Sequence, residues 1–180
     1  VITSKGHILE MPKLKAILDL FINVFRSFPF IILMILVFPL SRFIVGTTIG
    51  STATIVPLSI AAAPFVARLI EGAIKEVDGG LIELSKSLGA NNWEIIFKVL
   101  IPEAMPSLIH SFTITIISLI GYSAMAGAIG GGGLGDLAIR YGYQRFQTDI
   151  MIISVVVIII IVQVIQVIGD LIVKNIKKNR

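Results

Sequence analysis

Four stretches of the chain are apolar all round rather than along one face, a pattern that predicts helices buried in hydrocarbon. A spanning helix needs about 20 mostly apolar residues to cross ~30 Å of bilayer core. The cleanest candidate covers residues 150–169, where only Ser154, Gln163 and Gln166 interrupt. Two more are predicted over residues 106–128 and 49–70. The first, residues 20–40, rests on an apolar run at 28–40 that is too short to span alone, so it is extended back to Leu20. The extension places Arg26 inside the predicted helix, where a central arginine costs ~2.5–3.5 kcal/mol. Near a helix start, its long stem can snorkel to the interface.

Between the second and third spans the pattern changes to a one-sided stripe. Leu81, Leu84 and Leu88 share a face of a short predicted helix, and Gly89 follows where a left-handed residue closes a helix most cheaply without a Cβ. A second helix is predicted from Asn91, with Glu94 placed as its capping-box partner. Trp93, Ile96, Phe97, Leu100 and Ile101 keep the i, i+3, i+4 spacing, and Pro102 is expected to end the helix. A hairpin with a regular apolar face either docks onto a partner or lies on the bilayer or its own bundle. Periodicity leaves both open.

Composition narrows the class. Of the 180 residues, 56% are hydrophobic and only 14% charged, with a mean hydropathy of +0.96. Soluble domains carry about 25% charged residues, so a soluble enzyme, a disordered linker and a free nucleic-acid-binding module are excluded. The net charge of +4 reflects the bias of Lys and Arg toward cytoplasmic loops. One side of the predicted membrane holds Lys5, Lys13, Lys15, Arg68, Lys75, Lys86, Lys98, Lys174, Lys177, Lys178 and Arg180; the other holds Arg42, Arg140 and Arg145. Eleven basic residues against three predict that both ends of the chain and the long loop are cytoplasmic. With no cysteine, disulfide scaffolds and thiolate chemistry are excluded. No internal repeat or linker divides residues 1–180, which read as one membrane domain. The chain opens on Val1 in mid-pattern, which suggests a truncated N-terminus.

The loop carries a sharper signal. Glu83-Leu84-Ser85, three residues, Gly89, nine residues, then Val99, Leu100, Ile101 and Pro102 resembles the EAA loop of ABC-importer permeases, whose pattern is Glu-Ala-Ala, three residues, Gly, nine residues, Ile, any residue, Leu-Pro. Leu84 and Ser85 replace the alanines, and Val99 and Ile101 replace the Ile and Leu; the other positions and all spacings are kept. Phe25-Arg26-Ser27-Phe28-Pro29, Ile44-Val45-Gly46-Thr47, Ile55-Val56-Pro57-Leu58, Ala62-Ala63-Pro64-Phe65, Gly121-Tyr122-Ser123-Ala124-Met125, residues 98–104 and the glycine run at 130–135 are similar to permeases of methionine importers. The resemblance implies an all-α polytopic permease bundle in the cell inner membrane, with four spans here and a further N-terminal one missing. It implies a homodimer with two ABC ATPase subunits, an extracytoplasmic substrate-binding protein or lipoprotein, and uptake of methionine and close relatives. It also implies that residues 76–105 insert a coupling helix into the ATPase, with Glu83, Leu84, Ser85, Gly89, Ala90, Trp93 and Pro102 in the contact loop.

Other features weigh little or stay open. Residues 130–135 formally satisfy G-x-G-x-x-G, but no strand precedes them, so dinucleotide binding is rejected in favour of a flexible outer loop, packed on neighbouring backbone or facing a partner. No P-loop is present, His7 and His110 lack ligand spacing, and no catalytic constellation exists, so neither cofactor, metal nor catalysis is expected. Ser111, Thr115, Ser118 and Tyr122 share a face that Met125 continues; helix packing and pathway lining are both open. Gln163, Gln166 and Asp170 are expected to point inward, and Pro57 and Pro64 to kink the second span. A permease for another small solute is one rival. An ATP-independent channel or secondary transporter is the other, disfavoured by the EAA spacing and the absence of midplane charges.

Overall fold

A computed structural model describes Ile8 and residues 11–178, and every regular element among them is helical. The expected helix over 20–40 is two helices, α1 (Pro12–Ser27) and α2 (Phe30–Val45), which meet at 107°. Pro29 is the cause. Its ring pushes the preceding residue out of the α region, and Phe28 takes φ −77°, ψ 133°, so the first helix stops at Ser27. Arg26 therefore lies exposed in the last turn of α1 rather than inside a span. With 16 residues α2 rises about 24 Å, a short crossing.

Three further helices are long and apolar enough to cross: α3 (Ser51–Lys75), α6 (Ile101–Ala126) and α8 (Thr148–Lys178). The prolines expected to kink the second span, Pro57 and Pro64, are buried inside α3, which runs through both as one element. Between α3 and α6 stand α4 (Gly79–Ser87) and the short α5 (Asn92–Glu94). The second hairpin helix does not end at Pro102: α5 continues through six residues of wide π-type turn, Ile95–Leu100, straight into α6. A proline ring clashes with the carbonyl four residues back. Widening the turn just before Pro102 is a common way to accommodate such a strain without breaking the axis.

α2, α3, α6 and α8 pack in that order, each on the next, while α1 lies against α3. A row of helices encloses little of its own. Apart from Leu33 and Met34 of α2 and the prolines Pro57, Pro64 and Pro106, what the spanning helices bury is small or hydroxylated: Ala53, Ala62, Ala73, Ala104 and Ala126, with Ser41, Thr54, Ser111, Thr113, Thr115 and Ser154. This is the packing expected in hydrocarbon, where no hydrophobic force drives helices together and close approach with shared hydrogen bonds does. The seam between α6 and α8 follows the same rule. A side chain on Gly169 would run into Thr113, so only glycine permits this approach. That choice of face corrects the inward placement of Gln163 and Asp170, both of which are exposed on α8, with Gln166 half-buried and donating to Asp170 (3.0 Å).

Opposite the hairpin, the glycine run is not a flexible loop. It forms the reversal between α6 and α8: a break at Gly127–Gly131, the short α7 (Gly133–Asp136) and a wide-turn segment Leu137–Tyr143. Gly130 turns the chain at φ +94°, and its carbonyl accepts from the Gly50 N–H at 3.1 Å, tying the reversal to the loop before α3. The helix α6 leads directly into the run.

Candidate functional site

The hairpin is the part of the molecule whose local structure is most fully specified. Asp78 caps α4 by accepting from the Gly80 N–H at 2.9 Å. At the other end Gly89 sits at φ +83°, the Gly89 N–H reaches the Lys86 carbonyl (3.0 Å) and the Ala90 N–H reaches Ser85 (3.1 Å). These two bonds are the Schellman closure, which needs a left-handed residue at this position. Two residues later Asn91 and Glu94 form the expected capping box: the Asn91 side chain accepts from the Glu94 N–H (2.9 Å), and Glu94 accepts from the Asn91 N–H (3.1 Å). That N–H, with Lys98 alongside, holds the Glu94 carboxyl below its ordinary pKa.

Fixed at both caps, the hairpin sorts its apolar residues into two sets. Ile8, Ile95, Ile96 and Leu100 form a small buried core, flanked by Ile74, Val77, Ile82, Ala90 and Ile101. The second set points away. Leu84 is 58% exposed, Leu88 79%, Trp93 65% and Phe97 61%, with the Trp93 and Phe97 rings stacked at 5.9 Å. This corrects the single apolar face expected over Trp93, Ile96, Phe97, Leu100 and Ile101: Ile96 and Leu100 are buried with Ile95 in the wide turn, and the aromatic pair is outside. Glu83 lies exposed on the same hairpin and makes no ion pair among the described residues. Ser85 and Ser87 use their hydroxyls within α4, donating to Leu81 (2.6 Å) and Glu83 (3.0 Å) carbonyls. Four large, exposed apolar side chains and an exposed carboxylate on one rigid hairpin make a surface suited to a protein groove rather than to water.

The α6 residues do not come together as one lining. Ser111 donates to the Leu69 carbonyl of α3 (3.3 Å) and Thr115 to the Ser111 carbonyl of its own helix (2.8 Å), and both residues are buried. Tyr122 stacks on Phe30 at 4.2 Å and meets Phe65 edge-on at 6.3 Å. Ser118 is half-buried, and Met125 is 49% exposed at the end nearest the glycine reversal. His7 lies outside the described residues. No metal-binding group of His, Asp and Glu occurs among the described residues.

Two constellations were missed in the sequence. Arg68 of α3 gathers Asp19 (2.9 Å) and Asn23 (2.9 Å) from α1 together with Glu71, and Glu71 also holds Lys75 (2.9 Å). At the opposite end Arg140 and Arg145 lie over the Tyr141 ring at 5.3 and 4.5 Å, while Arg140 also pairs with Asp136. The Arg140 pairs have a readable signal, adjacent and i, i+4 spacing. The bond across 45 residues from Arg68 to Asn23 has none.

Comparison with known proteins places this geometry. Residues 5–180 match the family described as binding-protein-dependent transport system inner membrane component. The chain is 52% identical to a probable D-methionine transport system permease protein MetI of Vibrio cholerae, over 97% of this chain and 77% of the relative. It is 50% identical to the methionine import system permease protein MetP of Bacillus subtilis, over 98% of this chain and 80% of that one. Among solved structures, an inward-facing MetNI methionine ABC transporter superimposes with a TM-score of 0.93 at 47% identity, covering 97% of this chain and 81% of its own.

Proposed function

This chain belongs to the family of binding-protein-dependent transport system inner membrane components and is an ABC-importer permease; on that premise we propose that it carries methionine and close relatives. Identity at or above half over nearly the whole chain to two methionine permeases is the observation that carries the cargo. The hairpin over residues 76–105 is the contact with a separate ATPase. Its support is the capped turn at Gly89 and the outward set Leu84, Leu88, Trp93 and Phe97 beside Glu83. Because α5 runs without a break into α6, a displacement of the hairpin is delivered along the axis of a spanning helix to the glycine reversal at its far end. That continuity is the physical route by which nucleotide-driven closure of two ATPase subunits would reorient the passage.

The spanning helices pack side by side in a row, each on the next, and the passage is placed between two copies of the chain. Of the α6 residues, Met125 keeps its exposed side for such a passage, while Ser111 and Thr115 spend their hydroxyls on packing. A substrate-binding protein delivers cargo on the side of the glycine reversal. The full-length subunit, reconstituted with its ATPase and binding protein, is expected to accumulate methionine when ATP is supplied on the ATPase side. Uptake of an unrelated solute with none of methionine would remove the cargo while leaving the permease.

Orientation follows from the eleven-to-three distribution of basic residues. The hairpin and both ends of this chain face the cytoplasm. Single cysteines at positions 90 and 178 are expected to react with an impermeant maleimide only from the cytoplasmic side, and one at position 138 only from outside. Reaction of positions 90 and 138 from the same side contradicts this arrangement.

A further inference from the structure

α1 is amphipathic in the sense opposite to that of a helix on a soluble protein. Its polar side, Lys15, Asp19 and Asn23, is turned toward α3, where Asp19 and Asn23 are held by Arg68. Its apolar side is uncovered: Leu14, Ile17, Leu18, Phe21 and Val24 are between 42% and 65% exposed. Water would not tolerate that inversion over the ~24 Å of a 16-residue helix. Hydrocarbon would. The direction of the helix says which part of the bilayer. α2 begins within three residues of the end of α1 and departs at 107°, so with α2 crossing the membrane α1 lies close to the membrane plane. It lies at the hairpin end of α3, because its anchor Arg68 stands in the last third of that helix beside Glu71 and Lys75. Lys13 and Arg26, exposed toward the two ends of α1 and without an ion pair among the described residues, are placed to reach lipid phosphates.

We propose that α1 is an in-plane helix seated in the leaflet on the hairpin side, its apolar stripe among the acyl chains just below the headgroups and its polar stripe bonded to the base of α3. The lipid surface is the partner. The inference requires that α2 crosses the bilayer and does not depend on the cargo or on the ATPase contact. Through Arg68 it gives the lipid a physical connection to the segment of α3 that leads into the hairpin.

The cysteine-free sequence makes the test direct. Single cysteines replacing Leu14, Ile17, Leu18, Phe21 and Val24 in the full transporter carry nitroxide labels in phosphatidylcholine–phosphatidylglycerol liposomes. Their collision rates with oxygen and with a water-soluble nickel chelate are then measured. Oxygen is expected to reach these five positions far better than the nickel reagent, at a depth of ~5–10 Å below the phosphates. Labels shielded from both reagents would mean that a second copy or another protein segment covers the face. A depth near the bilayer centre would mean that α1 is part of a span, and free access of nickel would place it in water. Each of those three results overturns the proposal.

Discussion

Replacing Trp93 by alanine is expected to weaken association of the permease with its ATPase by roughly 30-fold, about 2 kcal/mol, without reducing the amount of permease in the membrane. Trp93 is 65% exposed and stacked on Phe97, so it contributes little to the fold of the hairpin, whose own core is Ile95, Ile96 and Leu100. A large exposed aromatic side chain, here stacked on a second ring, is the usual kind of anchor of a protein interface. Gly89→Val acts on the same interface through the backbone. No atom lies within 4 Å of a Cβ at this position, so the substitution meets no clash; its cost is the left-handed φ of +83° alone, about 1–3 kcal/mol for a β-branched residue. Relieving that strain tilts α4 and carries Leu84 and Leu88 out of register with Trp93 and Phe97. Glu83→Ala removes the exposed carboxylate that makes no ion pair among the described residues, and loss of a charge-assisted contact across an interface typically costs about 2–5 kcal/mol. Copurification of the ATPase and substrate-stimulated hydrolysis are the measurements. If all three variants assemble and transport as the parent does, the hairpin is not the ATPase contact.

The second large effect lies at the other end of the molecule. Gly135→Ala is expected to destabilise the solubilised permease by about 3 kcal/mol, lowering its thermal midpoint by roughly 10 °C. A Cβ there would collide with the backbone of Ala124, carbonyl oxygen included, and a helix backbone cannot yield as a side-chain tip can. Gly127 is packed in the same way against Gly135 and Asp136, so the reversal is built by backbone touching backbone. Gly133→Ala provides the contrast. Its surroundings are open and only the positive φ of +79° is strained, which costs about 1–2 kcal/mol. Similar melting of the two variants would show that the run is a turn and not a packed joint.

The difference between those two glycines cannot be read in a string of them. Composition and spacing mark the run as special, and the expectation of close packing against backbone holds. The expectation of flexibility does not, because it depends on whether α7 folds back onto α6, which is decided by contacts with Ala124 and Ala126. The Phe28–Pro29 elbow is the opposite case. The proline stood in the sequence, but the hydropathy of residues 20–40 favoured one continuous span, and a sliding average is blind to the direction a chain takes after a break.

Local interactions are what the sequence determined by itself. Capping at Asp78, Asn91 and Glu94, closure at Gly89 and three of the long apolar helices depend on residues within a few positions of one another or on bulk transfer from water to hydrocarbon. Both are properties of a linear pattern, and so is the EAA spacing that identified the hairpin. Tertiary structure decided which face each helix turns to its neighbour. In hydrocarbon the apolar side chains are nearly equivalent, so Gln163 and Asp170 could not direct α8; Gly169 did, by allowing Thr113 to approach. Across the wide turn at Ile95–Leu100 the helical phase departs from a fixed period of 3.6, with Ile95, Ile96 and Leu100 buried and Phe97 exposed. The bond from Arg68 to Asn23 was decided at the same level, because only the elbow at Pro29 brings two residues so far apart in the chain to one place.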